Sequence, residues 1–160
     1  MQVLVLYYSA SGNTEKLAEA IATGVKESGG VQCVVKAADD VTNDDLVAAD
    51  GIIAGSPVYY GAMAAQLKAV FDNSVVVRAE MGNKIGAAFA TSGDASGGKE
   101  TTLLSIIQAM LISGMIIVGD PLDATGHYGT ACVGEPDEKA SLNGQKLGKR
   151  VAELVKQLKG

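Results

Sequence analysis

Short apolar runs alternate with helical periodicities along the whole chain. Val3-Leu4-Val5-Leu6-Tyr7 is a continuous apolar run, the pattern of a strand covered on both faces. Small and polar residues follow from Ser9 to Asn13. From Thr14 a helical period begins, with Leu17, Ile21 and Val25 spaced every four residues, and Gly29-Gly30 ends it. Cys33-Val34-Val35 predicts a second strand, and Asn43-Asp44-Asp45-Leu46 a short helix. Gly51-Ile52-Ile53-Ala54-Gly55 predicts a third strand ended by Ser56-Pro57. Gly61 to about Ser74 reads as helix, with Met63, Leu67 and Val70 on one side. Lys84–Ala90 is the fourth expected strand, Lys99–Ser113 a helix, and Met115–Val118 the fifth strand. Gly119–Glu135 reads as a glycine-rich loop. In the last helix Leu147, Val151, Leu154, Val155 and Leu158 form one apolar stripe with lysines opposite.

Five strands separated by helices predict an α/β fold with a parallel sheet and helices on both faces. No linker, repeat or low-complexity segment interrupts the pattern, so residues 1–160 are expected to form one domain. In open sheets of this kind ligands bind beyond the carboxyl ends of the strands. Attention therefore falls on three loops: Ser9–Thr14, Ser56–Gly61 and Thr91–Gly98.

Composition narrows the function. Thirteen basic and eighteen acidic residues leave a net charge of −5, the wrong sign for a nucleic-acid footprint or a polybasic membrane patch. The apolar stretch Ile106–Val118 is broken by Gln108, Ser113 and Gly114 and is too short for membrane insertion. The run Val3–Tyr8 is too short for a secretory leader. Cys33 and Cys132 are far apart, with no Cys-x-x-Cys and no Cys/His cluster, which predicts no disulfide framework and no metal. The expected setting is the reducing cytoplasm.

The first loop carries the chemistry. Ser9-Ala10-Ser11-Gly12-Asn13-Thr14 joins a buried strand to a helix start, where unpaired backbone N–H groups and the positive end of the helix dipole attract anions. Ser9, Ser11 and Thr14 add hydroxyls, Asn13 an amide, and Gly12 lets the backbone come close. A phosphate held there would meet neutral donors, with Lys16 the one nearby cation. The plain alternative is a capped turn, with Asn13 or Thr14 as the cap. The triphosphatase loop G-x-x-x-x-G-K-[ST] and the dinucleotide motif G-x-G-x-x-G are both missing.

Three segments together carry a resemblance. Tyr8-Ser9-Ala10-Ser11-Gly12-Asn13-Thr14-Glu15 resembles the FMN-phosphate loop of flavodoxin-like proteins. Gly55-Ser56-Pro57-Val58-Tyr59-Tyr60-Gly61-Ala62-Met63 is similar to the second flavin loop of the WrbA family of NAD(P)H:quinone oxidoreductases. Thr91-Ser92-Gly93-Asp94-Ala95-Ser96-Gly97-Gly98-Lys99-Glu100 is similar to that family's third loop. The resemblance implies a flavodoxin-like three-layer sandwich with a five-stranded sheet in order 2-1-3-4-5. It implies FMN across the strand ends, NAD(P)H as donor, and a quinone or a redox protein as acceptor. By position, Ser9, Ala10, Ser11, Gly12, Asn13 and Thr14 would hold the phosphate. Pro57, Val58, Tyr59, Tyr60 and Gly61 would line one side of the isoalloxazine, with the two tyrosines pointing opposite ways in an extended loop. Thr91, Ser92, Gly93, Asp94, Gly97 and Gly98 would meet its other edge through backbone and hydroxyl groups. Where the family has a histidine reaching a neighbouring subunit, this chain has Ile112, and the family's tryptophan falls near Val76. The connections Ala37–Thr42 and Gly119–Gly126 are shorter than in long family members. A homo-oligomer is therefore a possibility that the resemblance raises without fixing.

Other residues are open. His127, the single histidine, lies in the loop after the fifth strand, on the ligand side, and is the one candidate catalytic side chain; a solvated loop histidine is the alternative. Lys99 and Arg78 are the cations expected nearest the flavin. A flavodoxin-like electron carrier competes with the enzyme. A phosphoacceptor receiver domain shares the strand order but needs acidic residues where this chain has Tyr8-Ser9 and Ser56-Pro57.

Overall fold

A computed structural model describes all 160 residues. Strands β1 (Gln2–Tyr7), β2 (Gln32–Ala37), β3 (Gly51–Pro57) and β4 (Ile85–Ser92) form the body of a parallel sheet. Helix α1 (Asn13–Glu27) links β1 to β2, and α2 (Asn43–Ala48) links β2 to β3. After β3 come α3 (Ala65–Asn73) and a 3-10 segment, Ser74–Met81. Helix α4 (Lys99–Ile112) follows β4. The chain closes with β5 (Ile116–Ile117), β6 (Thr130–Val133) and α5 (Glu138–Lys159). The order is β2-β1-β3-β4-β5, as expected of a flavodoxin-like sandwich.

The fifth lane differs from the sequence expectation. It is built from two pieces, both parallel to β4. β5 pairs with Ile85 and Gly86, and β6 pairs with the four residues Phe89–Ser92. The segment between them leaves the sheet and returns. The expected loop Gly119–Glu135 thus hides a strand, too short and too glycine-flanked to declare itself as a periodic run.

The strands read as apolar runs because both faces are covered. On one face Val3, Val5, Ile53, Ala87 and Phe89 pack under α1 and α5. On the other, Leu4, Leu6, Ile52, Ala54 and Ala88 pack under the layer of α2, α3 and α4. Helices α1 and α5 touch at backbone distance: a Cβ on Gly24 would lie 1.8 Å from the Gln145 carbonyl oxygen, and one on Gly148 2.0 Å from that of Ile21. The molecule exposes 7333 Å², close to the roughly 7,500 Å² expected of a compact chain of this mass. No helix is long and apolar enough to cross a membrane.

Candidate active site

All three loops emerge at the carboxyl edge of the sheet, and hydrogen bonds tie them to one another. The first closes on Gly12, not on Asn13 or Thr14 as cap propensity suggested. Gly12 stands at φ +88°, in the left-handed region, and its N–H donates to Ser9 Oγ at 3.1 Å. With no side chain there, nothing caps α1, and the backbone N–H groups of Asn13, Thr14 and Glu15 find no acceptor within the protein. A Cβ at Gly12 would meet nothing within 4 Å, so the approach to these donors is open. This is the local chemistry of an anion site.

The second loop is a tight reverse turn, not an extended stretch. Tyr59 and Ala62 exchange backbone hydrogen bonds at 3.0 and 3.1 Å around Tyr60 and Gly61. Both central residues have positive φ, +51° and +76°, the pair a type I′ turn requires. Gly61 supplies this without strain; Tyr60 does not, and its ring stands fully in solvent. Tyr59 folds back, its ring edge-on to Tyr8 at 6.4 Å between centroids and 71° between planes. The turn and the two residues after it take up the chain as far as Ala64, so α3 starts four residues later than its apolar spacing implied. Ser56 anchors it: its hydroxyl donates to the Pro57 carbonyl and accepts the Ala64 N–H at 2.8 Å. Ser105, which sequence reasoning passed over, accepts the Met63 N–H at 3.0 Å.

The third loop folds on itself. Ser92 donates to the Asp94 carbonyl at 2.7 Å, and the Gly97 N–H returns to the same oxygen at 3.1 Å. Asp94 acts through its backbone in this turn. Gly98, at φ +100°, begins α4 without a side-chain cap. It sits against the second loop: a Cβ on Gly98 would lie 3.0 Å from the Gly61 Cα. Thr91 joins all three loops. Its carbonyl accepts the Val58 N–H at 2.8 Å, and its hydroxyl lies 2.8 Å from the buried Thr14 hydroxyl.

The electrostatics are subdued. Lys16 pairs with Glu135 at 2.5 Å, an exposed ion pair that cancels the one nearby cation. Glu15 accepts the Tyr7 hydroxyl at 2.8 Å, and burial, then this carboxylate, push the Tyr7 pKa up to about 12. Lys99 donates to the Ala95 carbonyl at 3.2 Å. Arg78 does not belong here at all. It follows α3, at the opposite edge of the sheet, where its Nε donates to the Ile112 carbonyl at 2.9 Å. Nearness in sequence to the third loop was misleading, because a whole strand separates the two edges.

His127 lies in the segment between β5 and β6. It lines a cavity of about 270 Å³ with Lys99, Asp120, Tyr128 and Asn143, beside the first turn of α4. Asp120 is buried there with neither carboxylate oxygen hydrogen-bonded. Larger grooves lie between α2 and α3 and beside Val75, Val76 and Ile112, away from the three loops. Both cysteines are free thiols. Burial raises Cys33, and burial with the Asp137 carboxylate pushes Cys132 up to about 11, so both stay protonated at neutral pH.

Comparison with known proteins gives the family. Residues 36–129 match the NADPH-dependent FMN reductase model. The chain is 35% identical to a flavodoxin of Aquifex aeolicus, covering 96% of this chain and 86% of that one. It is 34% identical to an NAD(P)H dehydrogenase (quinone) of Archaeoglobus fulgidus, over 98% of each. The chain belongs to the NADPH-dependent FMN reductase family. Its backbone also superposes on a flavodoxin, WrbA-like protein from Agrobacterium tumefaciens with a TM-score of 0.84, at 27% identity over 98% of each chain. Within the FMN reductase family the test of the site is chemical fit. Three bare N–H groups at an uncapped helix start, with hydroxyls around them and no cation, suit a phosphate monoester. A turn bearing Tyr59 beside the backbone-lined third loop suits a flat, polar-edged ring.

Proposed function

We propose that this protein is an FMN oxidoreductase that passes electrons from NAD(P)H to quinone-like acceptors, with all 160 residues acting as one flavodoxin-like domain. The observation that carries the proposal is the start of α1. Gly12 stands where a cap would stand, and three backbone donors point outward with no protein acceptor. Ser9, Ala10, Ser11, Gly12, Asn13 and Thr14 bind the phosphate. Pro57, Val58, Tyr59, Tyr60 and Gly61 bound one side of the ring, and Ser92, Gly93, Asp94, Gly97 and Gly98 the other, while the Thr91 hydroxyl is taken up by Thr14.

Bound FMN supplies the hydride and electron transfer. The chain's own residues position and tune it. With Lys16 paired to Glu135 and Arg78 at the opposite edge, these loops would bring a bound flavin little positive charge, which would keep its potential low. Tyr59, braced by Tyr8, offers an aromatic face worth roughly 0.5–1.5 kcal/mol beyond burial. His127 stands in a cavity by α4 from which a proton donor would serve an acceptor. The free, protonated thiols fit a reducing cytoplasm. The exposed apolar side chains Val75, Val76, Leu111 and Ile112 would seat a second copy in a homo-oligomer.

The likeness to a full-length flavodoxin favours one second reading, an electron carrier between redox proteins. One experiment separates them. The purified protein is expected to show flavin absorption, or to acquire it on FMN titration, and to oxidise NAD(P)H with benzoquinone at steady state. Flavin uptake without NAD(P)H turnover means the carrier; no FMN uptake in any redox state removes both readings.

A further inference from the structure

Thr91 was expected to meet the ring edge, yet its hydroxyl is taken up by Thr14. It ends β4, only 4% exposed, and its hydroxyl lies 2.8 Å from that of Thr14, 1% exposed, in the first turn of α1. Neither hydroxyl has another hydrogen bond within the protein. Two hydroxyls carry two protons, and the bond between them uses one. If Thr14 donates, the spare proton belongs to Thr91, at the end of β4. If Thr91 donates, the spare proton belongs to Thr14, in the same turn as the bare N–H groups of Asn13, Thr14 and Glu15. Only the second arrangement adds the spare proton to the bare donors of α1.

We infer that Thr91 is a positioning residue for the phosphate end of FMN, acting through Thr14. Its O–H donates to Thr14 Oγ1, which fixes the Thr14 rotor and turns the Thr14 O–H toward a phosphate oxygen. Hydrogen bonds to a charged acceptor are worth roughly twice neutral ones, so orienting that one donor matters. The Thr91 carbonyl meanwhile holds the Val58 N–H at 2.8 Å, so one residue registers the ring loop against the phosphate loop. The inference rests on the FMN reading above and extends it to a side chain that need not touch the cofactor.

The test is the ratio of riboflavin to FMN dissociation constants, measured by quenching of flavin fluorescence. Riboflavin lacks only the phosphate, so a general packing defect moves both constants together. Thr91→Val, nearly isosteric, is expected to weaken FMN binding roughly 5- to 10-fold and leave riboflavin binding unchanged. Thr91→Ser is expected to restore the wild-type ratio. Thr14→Val is expected to weaken FMN at least as much, and the double variant no further than Thr14→Val alone, because the two hydroxyls act as one unit. Equal losses for FMN and riboflavin, an unchanged ratio, or additive losses in the double variant would each overturn the inference. A wild-type protein with no preference for FMN over riboflavin would instead overturn the phosphate site itself.

Discussion

Helices α1 and α5 pack side by side on one face of the sheet, and both begin at its carboxyl edge. At α5, Asp137 takes the cap position and its Oδ1 accepts the Ala140 N–H at 2.7 Å, with Glu138 beside it. The positive end of that helix is answered by the protein's own carboxylates. At α1 the cap position holds Gly12, the first-turn donors stay free, and Glu15 is engaged by Tyr7. The same edge thus carries one helix start closed by a side chain and another left open. The difference is a single side chain at each cap, so it can be exchanged.

The largest effect is expected from giving α1 the cap of α5. Gly12→Asp places a carboxylate on the bare donors and a side chain at φ +88°. Its FMN affinity should fall about 100-fold, near 2.7 kcal/mol, with riboflavin affected far less. Titration with both flavins checks this; retained FMN affinity would erase the contrast between the two starts. The reverse exchange is smaller and of another kind. Asp137→Ala should cost about 1 kcal/mol of stability, lowering Tm by roughly 2–4 °C, and leave FMN affinity untouched. Calorimetry and the same titration separate the two outcomes. The smallest effect concerns the ion pair that ties α1 to the loop before α5. Glu135→Gln releases Lys16 from its 2.5 Å partner. FMN affinity should then rise about two- to threefold at low salt, and the gain should fade as ionic strength increases.

Much of this was legible beforehand, for reasons the residues make plain. The run Val3–Tyr7 read as a strand buried on both faces, and the alternation of such runs with four-residue periods implied a parallel sheet and pointed to its carboxyl edge. The three loops were found because strand-to-helix junctions are where ligands bind. What stayed hidden depends on contacts distant in sequence. Thr130-Ala131-Cys132-Val133 is a strand only because β4 offers it an edge. Gly12 displaced the better cap formers Asn13 and Thr14 because the turn needs positive φ there. Tyr60 adopts a left-handed conformation that its residue type does not advertise. The pairing of Thr91 with Thr14 spans 77 residues, and no local pattern announces it.

The split fifth lane has a further consequence. β5 and β6 each keep their own register on β4, and the chain between them is tethered from outside the sheet: Arg150 donates to the Asp120 carbonyl at 2.7 Å, Lys146 to that of Asp123 at 2.8 Å, and Asn143 to Thr125 Oγ1 at 2.8 Å. Such a gap behaves like an open socket. Added residues there would lengthen an excursion already outside the ladder, and doubling a loop's length costs only about 0.6 kcal/mol of closure entropy. A peptide tag or a small reporter spliced after Leu122, whose side chain already projects wholly into solvent, would leave the strands on either side in register.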